Sequence, residues 1–165
     1  MHSYIVGTTG SGKSHLAKSM ARGYREAGYS VLALDPVRDP EWAAVADHVT
    51  ADKDEFLRVF WESANCKVFV DETLRVTDNH DKEFHATATM GRHNGHQLYY
   101  LAQRPSHIPV NIRSQCQTVF TFRQNRKESI LMSDDFGNDD LRQAVELGKY
   151  EFLHATNFKC EKLIL

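Results

Sequence analysis

Short apolar runs alternate along this chain with stretches in which apolar residues recur at helical spacing. The apolar runs predict strands at residues 4–6, 29–34, 67–70, 96–102, 116–122, 149–155 and 158–165. The helical spacing predicts helices at residues 13–27, 41–46, 52–64, 81–90, 109–114, 126–132 and 139–147. Residues 73–82 are polar and lack apolar periodicity, so we expect an exposed loop there.

This alternation indicates an α/β fold. Strands that alternate with helices favour a mainly parallel sheet with helices on both faces. The run 29–34 is almost continuously apolar, as is typical of a strand buried on both faces. The last two runs have no helix between them and predict a closing pair of strands. No repeat or flexible linker interrupts the pattern, so we expect one domain over residues 1–165.

The clearest chemical motif lies between the first predicted strand and the first predicted helix. Residues 7–14 read G-x-x-x-x-G-K-S, the spacing of a phosphate-binding loop, which a plain turn would rarely reproduce. Its glycines allow a tight curl, whose N–H groups and helix N-terminus attract phosphate. Lys13 is expected to reach the β- and γ-phosphates, and Ser14 to ligate Mg²⁺. The predicted ATP-binding residues are Gly7, Thr8, Thr9, Gly10, Ser11, Gly12, Lys13, Ser14 and His15.

Two carboxylates supply what hydrolysis needs besides phosphate binding. The predicted strand at 67–70 runs directly into Asp71 and Glu72. Asp71 is expected to hold the Mg²⁺ shell, and Glu72 to orient or deprotonate the attacking water. The alternative is an ordinary charged pair at a strand end. An adjacent Glu of this kind points to the additional-strand division of phosphate-loop NTPases.

In that division a strand with a polar sensor at its tip lies between the phosphate-loop strand and the carboxylate strand. The predicted strand at 96–102 delivers Gln103 to the edge where ligands bind in such sheets. Gln103 is therefore expected to contact the γ-phosphate or the attacking water. Without its neighbours it would be read as a plain loop residue.

Several runs around Gln103 carry a family resemblance. These runs are residues 91–96, 98–106, 112–113, 118–124 and 148–152. Through them the chain resembles the FtsK/HerA family of DNA-pumping ATPases from residue 4 to about residue 155. The most specific part is Ala102–Ser106 together with Arg92 and Arg113.

The resemblance implies a RecA-like, three-layer core that works as a ring, usually a hexamer. It also implies that a neighbouring subunit supplies an arginine to each active site. Arg92 matches the position expected for this finger, with Arg113 and Arg104 as reserves; a surface salt bridge is the alternative for each. Asp35, followed by Pro36, resembles a family feature that supports the Mg²⁺ shell or caps the loop, and we favour the cap.

The small family members packaging the genomes of viruses and phages with internal membranes resemble this chain most. We therefore expect a translocase that packages double-stranded DNA into a capsid. Other FtsK/HerA-type roles, such as phage assembly or conjugative transfer, remain alternatives. A small-molecule or nucleotide kinase is another, although no arginine-rich lid is evident. A third alternative is a nucleotide-dependent switch. Such a protein would be expected to have lost Lys13 or Glu72, and both residues are intact.

Composition and charge narrow the picture further. The hydrophobic fraction is 41% and the charged fraction 25%, as in globular proteins. No apolar run is long enough to predict a membrane span, and we expect no signal peptide. The host cytoplasm is thus the expected location. A net charge of −2 means that DNA must meet a local patch or a ring lumen. Candidate basic residues, which could equally form solvated faces, are Arg75, Lys82, Arg123, Arg126 and Lys127.

Cysteine and histidine give weaker signals. The three cysteines, Cys66, Cys116 and Cys160, have spacing that suits neither a disulfide framework nor a zinc site, so reduced buried thiols are expected. The pairs His80/His85 and His93/His96 could suggest a metal, but no further ligands complete a set. Surface histidines are the favoured interpretation.

Overall fold

A computed structural model describes all residues from 1 to 165. The strands are β1 His2–Val6, β2 Val31–Leu34, β3 His48–Thr50, β4 Lys67–Val70, β5 Gln97–Ala102, β6 Cys116–Thr121, β7 Glu151–Ala155 and β8 Cys160–Ile164. The α-helices are α1 Lys13–Glu26, α2 Lys53–Glu62, α3 Lys82–Met90, α4 Val110–Arg113 and α5 Arg126–Phe136. Short 3₁₀ segments cover Pro40–Ala44, Thr73–Arg75, Gly91–Asn94, Pro105–His107 and Asp139–Val145.

All eight strands form one sheet in the order β3-β2-β4-β5-β1-β6-β7-β8. Strands β1 to β6 pair in parallel, and β7 and β8 close the sheet in antiparallel pairing. The predicted α/β class and the closing strands are confirmed. Strand β5 lies between β1 and β4, as the additional-strand arrangement requires. The residues that follow these three parallel strands therefore emerge side by side at one edge of the sheet.

The sheet separates two hydrophobic clusters, which gives the protein three layers. Alternate strand residues point to opposite faces, and in β1 Tyr4 belongs to the larger cluster while Ile5 belongs to the smaller one. Helix α1 contributes Ala17 and Ala21 to the smaller cluster. Helices α2, α3 and α5 contribute to the larger cluster. None of the helices combines the length and the apolar content needed to cross a bilayer.

Several local predictions need correction. The segment 73–82 is not simply an exposed loop, because Thr73 and Thr77 are buried and Thr73 Oγ1 donates to the Leu101 carbonyl over 2.9 Å. Strand β3 was not predicted; its three residues are too few to show an alternating pattern, and pairing with β2 stabilises it. The predicted helices at 41–46 and 139–147 are 3₁₀ segments, Pro40–Ala44 and Asp139–Val145.

The expectation of surface histidines is wrong for His2, His85 and His96, which are 3%, 5% and 2% exposed. At His85, Nε2 lies 2.7 Å from the Asp78 carbonyl and Nδ1 lies 3.4 Å from Nδ2 of Asn111. At His96, Nδ1 accepts from the Cys66 N–H, so Nε2 carries the proton and donates to the Phe60 carbonyl over 2.9 Å. The three cysteines are free; Cys160 is only half-buried, whereas burial raises the pKa of the buried Cys116 thiol.

Candidate active site

The loop between β1 and α1 is curled and anchored to the neighbouring strand. Gly10 and Gly12 have φ angles of 77° and 107°, in the left-handed region that favours glycine. The Gly7 N–H donates to the carbonyl of Ala102, the last residue of β5, over 3.2 Å. A Cβ at Gly7 would lie 2.4 Å from Ser11 Oγ. The loop can thus adopt this conformation without strain or steric clash only with glycine at these three positions.

A cavity of about 320 Å³ opens above this loop. Its walls come from the loop, from the segments after β4 and β5, and from the turn before β7. The lining residues are Thr8, Thr9, Gly10, Gly12, Lys13, Ser14, His15, Glu72, Gln103 and Tyr150. The structure therefore brings Glu72 and Gln103 together with all the predicted phosphate-binding residues except Gly7 and Ser11, which do not line the cavity. Tyr150 was not anticipated as a lining residue.

Asp71 does not line this cavity; it is buried beside Lys13 and is held by two donors. Trp42 Nε1 donates to Asp71 Oδ2 over 3.1 Å, and the Glu72 N–H donates to Asp71 Oδ1 over 2.9 Å. Lys13 Nζ lies 3.7 Å from Asp71 Oδ1 and 3.5 Å from Glu72 Oε1. Lys13 thus faces both carboxylates from the first turn of α1. Trp42 was missed, because a single tryptophan in a short helical segment looks like an ordinary core residue.

Glu72 has an unusual backbone. Its φ and ψ are 46° and 56°, a left-handed conformation that costs a non-glycine residue energy. The hydrogen bond from Thr73 to Leu101 fastens the next residue to β5 and so holds this turn in place. Strain of this kind persists where surrounding structure enforces it, often at functional sites. Here it places the Glu72 side chain beside Lys13.

Ser14 and Asp71 were predicted to hold Mg²⁺, and their chemistry fits this ion. Ser14 is half-buried and lines the cavity, and Asp71 is buried with its Oδ1 3.7 Å from Nζ of Lys13, which also lines the cavity. A carboxylate has about four acceptor positions, so the two donors to Asp71 leave others free. Magnesium prefers such oxygen ligands and usually keeps several waters.

Gln103 is exposed at the tip of β5 and lines the cavity. Its backbone carbonyl accepts a hydrogen bond from Gln124 Nε2 over 3.1 Å, and Gln124 is 4% exposed. The backbone is therefore held while the side chain stays free to meet a ligand. The structure thus places Gln103 at the cavity, and its role as a sensor stays a prediction.

Comparison with known proteins supports the fold described above. The family model described as the central domain of helicase HerA matches residues 1–60. The genome packaging NTPase B204 of Sulfolobus turreted icosahedral virus 2, solved with AMPPCP, superposes with a TM-score of 0.81 at 17% identity, covering 97% of this chain and 94% of that chain. This chain has the fold of the FtsK/HerA-type ATPases. No curated protein matches the sequence significantly.

Two further structures share the FtsK/HerA-type fold. The pCW3 conjugation coupling protein TcpA has a TM-score of 0.75 at 17% identity, covering 99% of this chain and 59% of that chain. The N-terminal domain of zonular occludens toxin from Neisseria meningitidis has a TM-score of 0.60 at 17% identity, covering 99% and 92%.

The three candidate finger arginines occupy different environments in this FtsK/HerA-type fold. Arg92 precedes β5, at the sheet edge opposite the phosphate-binding loop, and is exposed without an ion pair. It therefore does not join the active site of its own chain. Arg104 is exposed beside Gln103. Arg113 pairs with Asp135 and donates to the carbonyls of Pro105 and Ile108, so it is committed to internal contacts.

Asp35 caps the loop that follows β2. Its two carboxylate oxygens accept hydrogen bonds from the backbone N–H groups of Val37 and Asp39, and it is 1% exposed. These contacts agree with the interpretation of Asp35 as a loop cap.

The basic residues considered for DNA binding are all exposed and lack ion pairs; they are Arg75, Lys82, Arg123, Arg126 and Lys127. Their contact with DNA stays a prediction.

Proposed function

We propose that this chain is an Mg²⁺-dependent ATPase subunit of a ring that moves double-stranded DNA, with packaging of a viral genome as its role. One observation carries this proposal. Lys13, Glu72 and Gln103 meet around one cavity above the phosphate-binding loop. A phosphate cradle with an adjacent carboxylate and amide supports transfer of the γ-phosphoryl group to water.

Each residue has a distinct task in this mechanism. The loop N–H groups and Lys13 hold the phosphates, while Ser14 and Asp71 would hold Mg²⁺, which neutralises charge on the phosphates when bound. Glu72 orients the attacking water and accepts its proton. Gln103 donates to the γ-phosphate or positions the same water. Arg92 of a neighbouring subunit stabilises the developing charge, which couples hydrolysis to the arrangement of the ring.

The packaging role is supported by the extent of the structural match. B204 is described as a genome packaging NTPase, and this chain covers 94% of it. By contrast, the chain spans 59% of the conjugation coupling protein, and the zonular occludens toxin domain, although covered to 92%, superposes with a TM-score of only 0.60. We place the proposed motor in the host cytoplasm, where it would meet double-stranded DNA and a capsid or portal protein.

The test is ATP hydrolysis with and without double-stranded DNA. We expect DNA to stimulate hydrolysis, and Lys13→Ala and Glu72→Gln to abolish it. Glu26→Gln is a matched control, because Glu26 is an exposed carboxylate at the end of α1 without an ion pair. Displacement of a third strand from duplex DNA during hydrolysis would report translocation. Phosphate transfer to a nucleoside monophosphate, without any DNA effect, would contradict the proposal and favour a kinase.

A further inference from the structure

We propose that Tyr150 is the platform on which the base of the bound nucleotide stacks. Tyr150 lies in the turn before β7 and lines the same cavity as the phosphate-binding loop. The inference rests on the proposed nucleotide binding. It adds the residue that distinguishes a nucleotide from bare polyphosphate.

The order of strands sets the direction in which a nucleotide lies. Glu72 and Gln103 follow β4 and β5, on one side of β1. Tyr150 precedes β7, which lies two strands away from β1 on the other side. The γ-phosphate must lie beside the hydrolytic residues Glu72 and Gln103. The nucleoside therefore extends across the loop toward Tyr150.

The environment of Tyr150 suits an aromatic ligand. It is the one phenol ring among the ten lining residues, beside the smaller imidazole of His15, and it is 43% exposed. Its Cδ1 lies 3.4 Å from the place a Cβ would take at Gly12, so the ring stands directly beside the loop. Every nucleobase has a π-face, and stacking on an aromatic side chain requires no specific hydrogen bond. Tyr150 thus offers binding that tolerates different bases.

The surrounding structure holds Tyr150 in place. Its φ of 65° lies in the left-handed region, and its carbonyl accepts from the Leu165 N–H over 3.1 Å. The turn is closed by a hydrogen bond of 2.7 Å from the Gly148 N–H to Glu151 Oε2. A strained non-glycine backbone that surrounding contacts enforce often marks a functional position. The backbone that carries the ring is accordingly fixed before a ligand binds, and Lys149 Nζ lies 4.9 Å from the centroid of the ring.

The experiment compares two ligands that share the phosphates but not the base. Binding of a non-hydrolysable ATP analogue and of inorganic tripolyphosphate is measured by calorimetry, with Mg²⁺ present. We expect Tyr150→Ala and Tyr150→Leu to weaken binding of the analogue about tenfold and to leave tripolyphosphate unchanged. Tyr150→Phe keeps the ring and should bind as the parent does. Tyr29→Ala is the matched control, because Tyr29 is 46% exposed and does not line the cavity.

Each result is decisive. If the ring-deficient variants bind the analogue as tightly as the parent, the base does not stack on Tyr150 and the inference is overturned. Equal loss for both ligands would overturn it as well, because Tyr150 would then only support the loop. If the parent binds neither ligand, the proposed nucleotide site itself fails, and the inference falls with it. Unchanged tripolyphosphate binding also shows that a variant is folded around the loop.

Discussion

The indole Nε1 of Trp42 donates a hydrogen bond of 3.1 Å to Oδ2 of Asp71, and both residues are buried. The ring centroids of Trp42 and Phe69 are 5.4 Å apart. Lys18 Nζ, from helix α1, lies 5.9 Å from the centroid of the indole ring. The segment after β2 therefore holds the carboxylate that would support the metal. A hydrogen bond to a metal-side carboxylate fixes its orientation and tunes its affinity.

Trp42→Phe tests this role. The variant keeps an aromatic ring against Phe69 but leaves Asp71 Oδ2 without its donor, so we expect about 1–3 kcal/mol less stability. We also expect the Mg²⁺ concentration that supports half-maximal nucleotide binding to rise about ten- to hundredfold. A titration with a fluorescent nucleotide measures this shift. Trp61→Phe is the control, because Trp61 packs against Phe60 on α2 and makes no hydrogen bond to Asp71; identical Mg²⁺ curves for both variants would contradict the role.

Replacing Glu72 by glycine and by alanine separates backbone strain from chemistry. Both variants remove the carboxylate, so hydrolysis should fall about 10²- to 10⁴-fold in each. Because the backbone at position 72 is left-handed, glycine should be about 1 kcal/mol more stable there than alanine. Urea denaturation measures the difference. Equal stability of the two variants would show that the left-handed turn carries no strain.

Arg92 and Arg113 should respond differently to replacement by alanine. Arg92 makes no internal ion pair, so Arg92→Ala should leave stability unchanged and reduce hydrolysis in rings by about 10³-fold or more. Arg113→Ala should instead destabilise the chain, because Asp135 and two carbonyls lose their donor. Thermal unfolding and hydrolysis are measured on each variant.

Mixing subunits tests whether the finger acts across an interface. Arg92→Ala subunits retain Glu72, and Glu72→Gln subunits retain Arg92, so a mixed ring contains some complete sites. We expect partial recovery of hydrolysis in the mixture. No recovery in mixed rings that have demonstrably assembled would exclude Arg92 as the finger.

Stability should fall as the pH falls below about 6.5, because two buried histidines are held neutral. Burial lowers the pKa of His2 to about 4, with the N-terminal ammonium and Arg92 adding to the effect, and burial also lowers the pKa of His96. A lowered pKa means that the unfolded chain binds protons more readily. The stability is therefore full above the ordinary value of 6.5 and is lost below it, for His2 down to about pH 4.

The expected loss from His2 alone is on the order of 2 kcal/mol between pH 7 and pH 5. Urea denaturation across this range measures it. His2→Asn keeps an acceptor for the Leu98 N–H but cannot be protonated, so its pH profile should be flatter. His80→Asn, in an exposed turn, is the control. A His2→Asn profile as steep as that of the parent would refute the assignment.

Local patterns predicted much of this fold, because strands and helices with strong periodicity form where the pattern places them. Strand β4 matches its predicted bounds, and the motifs placed Asp71, Glu72 and Gln103 at strand ends that the sheet then brings together. Contacts between distant parts of the chain could not be read this way. Trp42 reaches Asp71, and Tyr150 reaches Gly12, only through the tertiary fold. His96 was misjudged for the same reason, since its partners lie on α2 and before β4.

Strand β5 connects the turn that carries Arg92 with Gln103 at the cavity. Arg92 lies in the turn before it and Gln103 directly after it, and five of its six residues are buried. Because β5 is hydrogen-bonded to β4 on one side and β1 on the other, it cannot shift alone. A push on the Arg92 turn would therefore displace Gln103, Glu72 and the loop together. In the proposed ring, a neighbouring subunit that moved this turn would therefore move the three strands as one rigid lever.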